Sequence, residues 1–137
     1  MDARAFVEAA DAGCMEVVEW LAARRCPMRG YIDQGDPYAR AGGNGDLAML
    51  ACLLRLGCPW SPDGLTFEAA LQAGCGLPVL RWLLGSGCSV AWAPAAEKAQ
   101  RLGLGVLSDE VLAWVSERQH LDAVVNGGPI AALTVVD

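Results

Sequence analysis

Cys26, Cys58, Cys88 and His120 follow one another at steps of 32, 30 and 32 residues, and this period constrains the chain more than any other feature. The ligands of a metal site have no reason to be evenly spaced, whereas equivalent positions of a repeated unit must be. Stacking the chain on these positions aligns much more than cysteines. The first unit reads Ala9-Ala10-Asp11-Ala12-Gly13-Cys14-Met15-Glu16-Val17-Val18-Glu19-Trp20-Leu21, then Cys26-Pro27-Met28. The second reads Ala41-Gly42-Gly43-Asn44-Gly45-Asp46-Leu47-Ala48-Met49-Leu50-Ala51-Cys52-Leu53, then Cys58-Pro59-Trp60. The third has Ala70-Leu71-Gln72-Ala73-Gly74, then Leu77-Pro78-Val79-Leu80-Arg81-Trp82-Leu83 and Cys88-Ser89-Val90, with one extra residue near Gly76. A weaker fourth unit has Ala99-Gln100-Arg101-Leu102-Gly103, then Glu110-Val111-Leu112-Ala113-Trp114-Val115, with His120 in the cysteine slot.

Each unit has the grammar of a helix pair. A short Ala-rich segment ends at a glycine, which accepts the left-handed conformation that closes a helix. A second apolar segment follows, with Val17, Val18 and Leu21, or Leu47, Leu50, Leu53 and Leu54, at the spacing of one buried helical face. Glu16, Asp46, Asp109 and Glu110 open these segments where the helix dipole favours acids, the last two behind Ser108 as an expected N-cap. Pro78 is expected at a first helical position. Turn-rich stretches such as Gln34-Gly35-Asp36-Pro37 and Ser61-Pro62-Asp63-Gly64 separate the units.

The run from Gly13 to Leu21 resembles the second-helix signature of ankyrin repeats, and Gly57-Cys58-Pro59-Trp60 is similar to the ending of a divergent ankyrin subclass with Cys after that helix. The likeness spans about residues 5–121; in place of the family's Thr-Pro-Leu-His opening stand Ala5-Phe6, Pro37-Tyr38, Leu65-Thr66 and Pro94-Ala95. The fold this implies is all-α: a short ankyrin-like solenoid of three to four stacked helix-turn-helix repeats with connecting loops. The expected repeats are about 4–35, 36–64, 65–93 and 94–121, with 122–137 as a C-terminal cap or tail. The tetratricopeptide period is the rival, but its Trp, Tyr and Pro pattern is absent.

The simplest reading of Trp20, Cys52, Trp82 and Trp114, which share one slot of the second helix, is core packing. Cys26, Cys58 and Cys88 read as small buried apolar residues at the end of that helix. In an ankyrin-like stack, equivalent cysteines would stand about 10 Å apart, beyond the roughly 7 Å Cα limit for a disulfide. Cys14 and Cys75, beside the inter-helix glycines, are expected to be exposed. A cysteine-based redox or metal-binding protein is the alternative reading, although no Cys-x-x-Cys occurs and His120 is the only histidine.

Enzyme signatures are absent: there is no Gly-x-Ser-x-Gly, and Glu97 before Lys98 denies the one lysine a place in a phosphate loop. Gly103-Leu104-Gly105 lacks the third glycine of a dinucleotide loop and reads as a long turn. Sixteen acids against ten bases give a net charge of −6, which disfavours nucleic acid as partner. The longest uncharged run, Trp82 to Ala96, is 15 residues and is broken by Gly85, Gly87 and Pro94, too short for a membrane span. Acids at Asp2, Glu8, Asp11, Glu16 and Glu19 are unlike a signal peptide, so a reducing, cytoplasmic setting is expected.

The expected function is non-catalytic binding of a protein partner, with no cofactor and no metal. The family resemblance implies binding through loop tips and first-helix faces. On this chain those positions are Arg29, Tyr31, Asp33, Asp36, Tyr38 and Arg40, followed by Trp60, Asp63, Glu68, Gln72 and Trp92. Their acidic and aromatic character favours a partner with a basic surface. A structural subunit of a large assembly would use the same chemistry. The apolar segment Ile130 to Val136 reads either as a cap over the last repeat or as an extended segment pairing with a partner.

Overall fold

The computed structural model describes residues 3–28 and 35–126, and all their regular structure is helical. The α-helices are α1 (Ala3–Asp11), α2 (Met15–Ala23), α3 (Pro37–Gly43), α4 (Leu47–Arg55), α5 (Leu65–Gln72), α6 (Leu77–Gly85), α7 (Trp92–Leu102) and α8 (Asp109–Asn126). Helices α1 with α2, α3 with α4, α5 with α6, and α7 with α8 form four consecutive pairs. The first helices of the pairs pack side by side in chain order, α1 on α3, α3 on α5 and α5 on α7. The expected last segment, residues 127–137, lies outside the described residues.

The same cap ends each of the first six helices. The backbone N–H of Cys14 donates to Ala9 at 3.0 Å and that of Gly13 to Ala10 at 3.2 Å. Asp46 with Gly45, Cys75 with Gly74, Cys58 with Gly57, and Cys88 with Gly87 repeat this 6→1 and 5→2 pattern. So do Cys26 and Arg25, which donate to Leu21 and Ala22 at 3.0 Å each. These are Schellman motifs, whose penultimate residue must be left-handed and whose last residue packs back on the helix. That geometry explains the recurring cysteine: Cys26, Cys58 and Cys88 occupy the packing position and are buried, as the sequence implies.

The helix starts follow from side-chain acceptors. Asp36 caps α3, Asp46 accepts from the Met49 N–H at 3.1 Å, and Ser108 accepts from the Val111 N–H at 3.2 Å. Pro78 stands one residue inside the start of α6, at its second position. Between the pairs lies a core in which Phe6, Tyr38, Phe67 and Ala96 fill one first-helix slot, the three aromatics with no exposed surface and Ala96 buried. Val18, Leu50 and Leu80 fill the matching second-helix slot, followed by Leu21, Leu53 and Leu83.

The structure corrects several expectations. Val17, Leu47 and Leu54 are exposed, so the buried face of the second helices is narrower than the apolar pattern. Trp20 is 51% exposed and carries the Arg24 guanidinium 3.8 Å above its ring, whereas Trp82 and Trp114 are half-buried. Cys75 is buried, because the inter-helix turn of its pair is pressed against α3. The fourth unit does not break near His120. After α7 the chain makes a 3₁₀ turn at Gly103–Gly105, and α8 runs unbroken through an exposed His120 and past residue 121. No glycine occurs between Gly105 and Gly127 to supply the left-handed cap.

Candidate functional site

The first part of the expected binding row divides in two. Arg29, Tyr31 and Asp33 lie outside the described residues. Asp36 and Tyr38 are not surface residues: Asp36 is 7% exposed and Tyr38 fully buried. The reason is local chemistry. Asp36 precedes Pro37 at the start of α3, and its Oδ1 accepts from the backbone N–H groups of Tyr38 at 2.9 Å and Ala39 at 3.3 Å. Its Oδ2 accepts from the hydroxyls of Ser61 at 2.7 Å and Thr66 at 2.8 Å. Thr66 Oγ1 in turn accepts the Ser61 N–H at 2.7 Å. One carboxylate thus fixes the start of α3 to the loop that leads into α5. Beside it, the Tyr38 hydroxyl donates to the Cys58 carbonyl at 2.7 Å. Burial holds the Tyr38 phenol well above its ordinary range, with the nearby Cys58 and Asp36 adding to the shift.

Trp60, in the loop two residues past Cys58, and Trp92, expected in a loop but standing as the first residue of α7, are both half-buried. Trp60 packs on Tyr38 at 4.1 Å between ring centroids, and Trp82 lies 6.4 Å from Tyr38. One pair later, Phe67 lies 5.3 Å from Trp92 and 6.2 Å from Trp114, which also meet each other at 5.8 Å. A first-helix aromatic packed against a Trp that follows its own pair and a Trp on the second helix of the next pair therefore occurs twice. It gives Trp60 and Trp92 a packing role, and each remains half-buried.

The surface left for a partner is polar. Arg40 and Asp63 are exposed, Glu68 is half-buried and Gln72 is exposed. Arg40 pairs with Asp11 at 3.1 Å, and the Asn44 amide donates to the Asp11 backbone carbonyl at 2.6 Å. This knot between the first two pairs was not apparent from sequence, since no local pattern marks Asp11 as the partner of a residue 29 positions away. A shallow groove of about 540 Å³ lies nearby, lined by Gly42, Gly43, Asn44, Gly45, Leu47, Gly76, Pro78 and Val79. The absence of side chains on its glycines opens it, and the Gly-Gly-Asn-Gly run is its one visible signal in sequence.

The thiols do not converge on a reactive centre. Burial pushes the Cys75 thiol up to about 12 and Cys88 to about 11, disfavouring their thiolates at neutral pH. Burial also raises Cys52, with the Arg55 guanidinium partly opposing it. Cys14 is exposed. Among the described residues no group of three or more His, Cys, Asp or Glu side chains is placed to hold a metal ion. No helix among them is long and apolar enough to cross a membrane. Comparison with known proteins gives no match: no family model fits the chain, and neither a curated protein nor a solved structure is detectably similar to it.

Proposed function

We propose that the chain is a non-catalytic protein-binding module, built as an ankyrin-like solenoid of four helix pairs. One observation carries this reading: the six identically capped helices, whose first members pack side by side in chain order. A repeated scaffold of this kind offers an extended surface whose shape is set by neighbour-to-neighbour packing. The exposed sides of its outermost first helices are polar, with Arg4 and Glu8 on α1 and Glu97, Gln100 and Arg101 on α7.

With Asp36 and Tyr38 assigned to the core, the described part of the binding row is Arg40, Asp63, Glu68 and Gln72 with the half-buried Trp60 and Trp92. Two acids dominate the exposed portion between the tryptophans, which favours a partner with a basic surface. The test is a pull-down in which the native chain is compared with a Asp63→Lys/Glu68→Lys variant of unchanged helicity. Partners held by the native chain and lost by the variant support the surface. Retention of every partner by the folded variant sinks it.

A further inference from the structure

Both asparagines of the chain, Asn44 and Asn126, precede a glycine. An Asn-Gly step is where an asparagine most readily loses its side-chain nitrogen, because the glycine, with no Cβ, lets its own nitrogen reach the carboxamide carbon. Asn44 stands where that loss has a structural consequence. In the first and third pairs its slot in the inter-helix turn holds Ala12 and Ala73, so the turn itself does not call for asparagine. What the side chain adds is a tie to the preceding pair. Its Nδ2 donates to the Asp11 backbone carbonyl at 2.6 Å and to Asp11 Oδ1 at 3.0 Å, while Asp11 Oδ2 pairs with Arg40 at 3.1 Å. Both partners of the amide are acceptors only, so its NH2 end is the one that faces them.

The same geometry holds the amide unreactive. Deamidation begins when the Gly45 nitrogen gives up its proton and attacks Asn44 Cγ. The carboxamide nitrogen leaves as ammonia, and a five-membered cyclic imide remains. Water then opens the imide at one carbonyl or the other, leaving an aspartate or, with the chain running through the side chain, an isoaspartate. Asn44 and Gly45 are exposed, so water is at hand. Ring closure, however, needs the Gly45 nitrogen eclipsed with Cβ of Asn44. At ψ of −2° it is eclipsed with the Asn44 nitrogen instead, and its N–H is held by the Gly42 carbonyl at 2.9 Å. The cap of α3 thus withholds the nucleophile, and the end of α1 holds the amide it would attack.

We propose that Asn44-Gly45 is a deamidation site gated by the junction of the first two helix pairs. While α1 lies on α3 the site is closed, and when that junction opens and the cap frays, Asn44 is released for attack. The product does not restore the tie. A carboxylate has no hydrogen to donate, and at position 44 it would face the Asp11 carbonyl and carboxylate oxygens that now stand 2.6 and 3.0 Å from the amide. Arg40, already paired with Asp11, is left to hold two carboxylates. The isoaspartate also adds a backbone carbon inside the cap in which Gly45 and Asp46 donate to Gly42 and Ala41. Loosening of the first pair is therefore one-way and consumes only water. This chemistry does not depend on what the chain binds.

The test follows the gate and the product separately. The full chain and a peptide of residues 39–50 are aged in the same mildly alkaline buffer, and conversion of Asn44 is followed by mass spectrometry of the peptides that carry it. Asn44 is expected to convert about tenfold or more slowly in the folded chain than in the peptide. Equal rates overturn the proposal. Asp11→Ala, with helicity unchanged, is expected to convert about threefold or more faster than the native chain. A folded Asp11→Ala chain that keeps the native rate overturns the assignment of the gate to the α1–α3 junction. For the product, Asn44→Asp is compared with Asn44→Ala, which takes the residue of the same slot in the neighbouring pairs and removes the tie without adding charge. Amide hydrogen exchange in α1 is expected to be about tenfold or more faster in Asn44→Asp than in the native chain, and faster than in Asn44→Ala. Exchange in Asn44→Asp no faster than in Asn44→Ala overturns the one-way step.

Discussion

The Tyr38 hydroxyl donates a 2.7 Å hydrogen bond to the carbonyl of Cys58, twenty residues on and beyond the end of the next helix. It ties the first helix of the second pair to the residue that closes its second helix, inside a site with no access to water. Tyr38→Phe keeps the ring and leaves that carbonyl without this donor, at an expected cost of about 1–2 kcal/mol. Tyr38→Ala also removes the ring packed against Trp60 and Trp82, at an expected cost of about 3–5 kcal/mol. Urea denaturation of the two variants separates the hydrogen bond from the packing: an unchanged Tyr38→Phe would show that the hydroxyl contributes nothing, and equal losses would show that the ring adds nothing beyond it.

Asp36 uses both carboxylate oxygens, one for two backbone N–H groups and the other for two hydroxyls. Asparagine has a single acceptor oxygen and cannot serve both sets. Asp36→Asn is therefore expected to lose about 1–3 kcal/mol although it remains a good helix cap. Calorimetric unfolding of Asp36→Asn checks this; a transition unchanged from the native chain would mean that the Ser61 and Thr66 hydroxyls find other partners without loss.

The helix pairs were legible because they are written locally: a glycine in five of the six caps, a cysteine behind five of the six, and apolar residues at helical spacing. The expected binding row failed at Asp36 and Tyr38 because their burial depends on residues far along the chain, Asp36 on Ser61 and Thr66 and Tyr38 on Trp60 and Trp82. A turn-forming Asp-Pro looks the same whether its carboxylate faces water or two hydroxyls. Trp20 was misplaced for a related reason. Its slot is buried at Cys52 and half-buried at Trp82 and Trp114, but a slot alignment carries no information about what covers the same slot in the first pair. The length of α8 was available in the absence of a glycine between Gly105 and Gly127, a signal masked by the regularity of the period.

Cys75 and Cys88 make stability fall in alkali. Each thiol has an ordinary value of 9.0, raised in the fold to about 12 and about 11 by burial. Below pH 9 both are protonated whether the chain is folded or not, and their burial costs nothing extra. Above it the unfolded chain releases protons that the folded chain retains, so stability declines up to about pH 11 for Cys88 and about pH 12 for Cys75. The expected slope is about 1.4 kcal/mol per pH unit for each thiol. Urea midpoints at pH 7.5 and 10.5 measure it, with Cys75→Ala as the control that shallows the slope. A midpoint independent of pH in this range would show that the thiols ionise without unfolding.

Arg25 and Gly64 invite opposite substitutions. Arg25 has φ of +60° in the cap position that Gly57 and Gly87 fill in later pairs. Holding a side chain in the left-handed region costs about 1–2 kcal/mol, of which glycine's greater freedom when unfolded takes back about 0.5–1. Arg25→Gly is expected to stabilise the fold by about 0.5–1 kcal/mol. Gly64 has φ of +76°, and a Cβ there would stand 2.7 Å from the Ala91 backbone nitrogen. Both the conformation and the contact oppose a side chain, so Gly64→Ala is expected to cost more than about 2 kcal/mol. Thermal unfolding of the two variants gives the comparison. A rise for Gly64→Ala would mean that the loop before α5 does not approach Ala91 so closely, and a fall for Arg25→Gly would mean that the Arg25 side chain makes contacts outweighing its backbone cost.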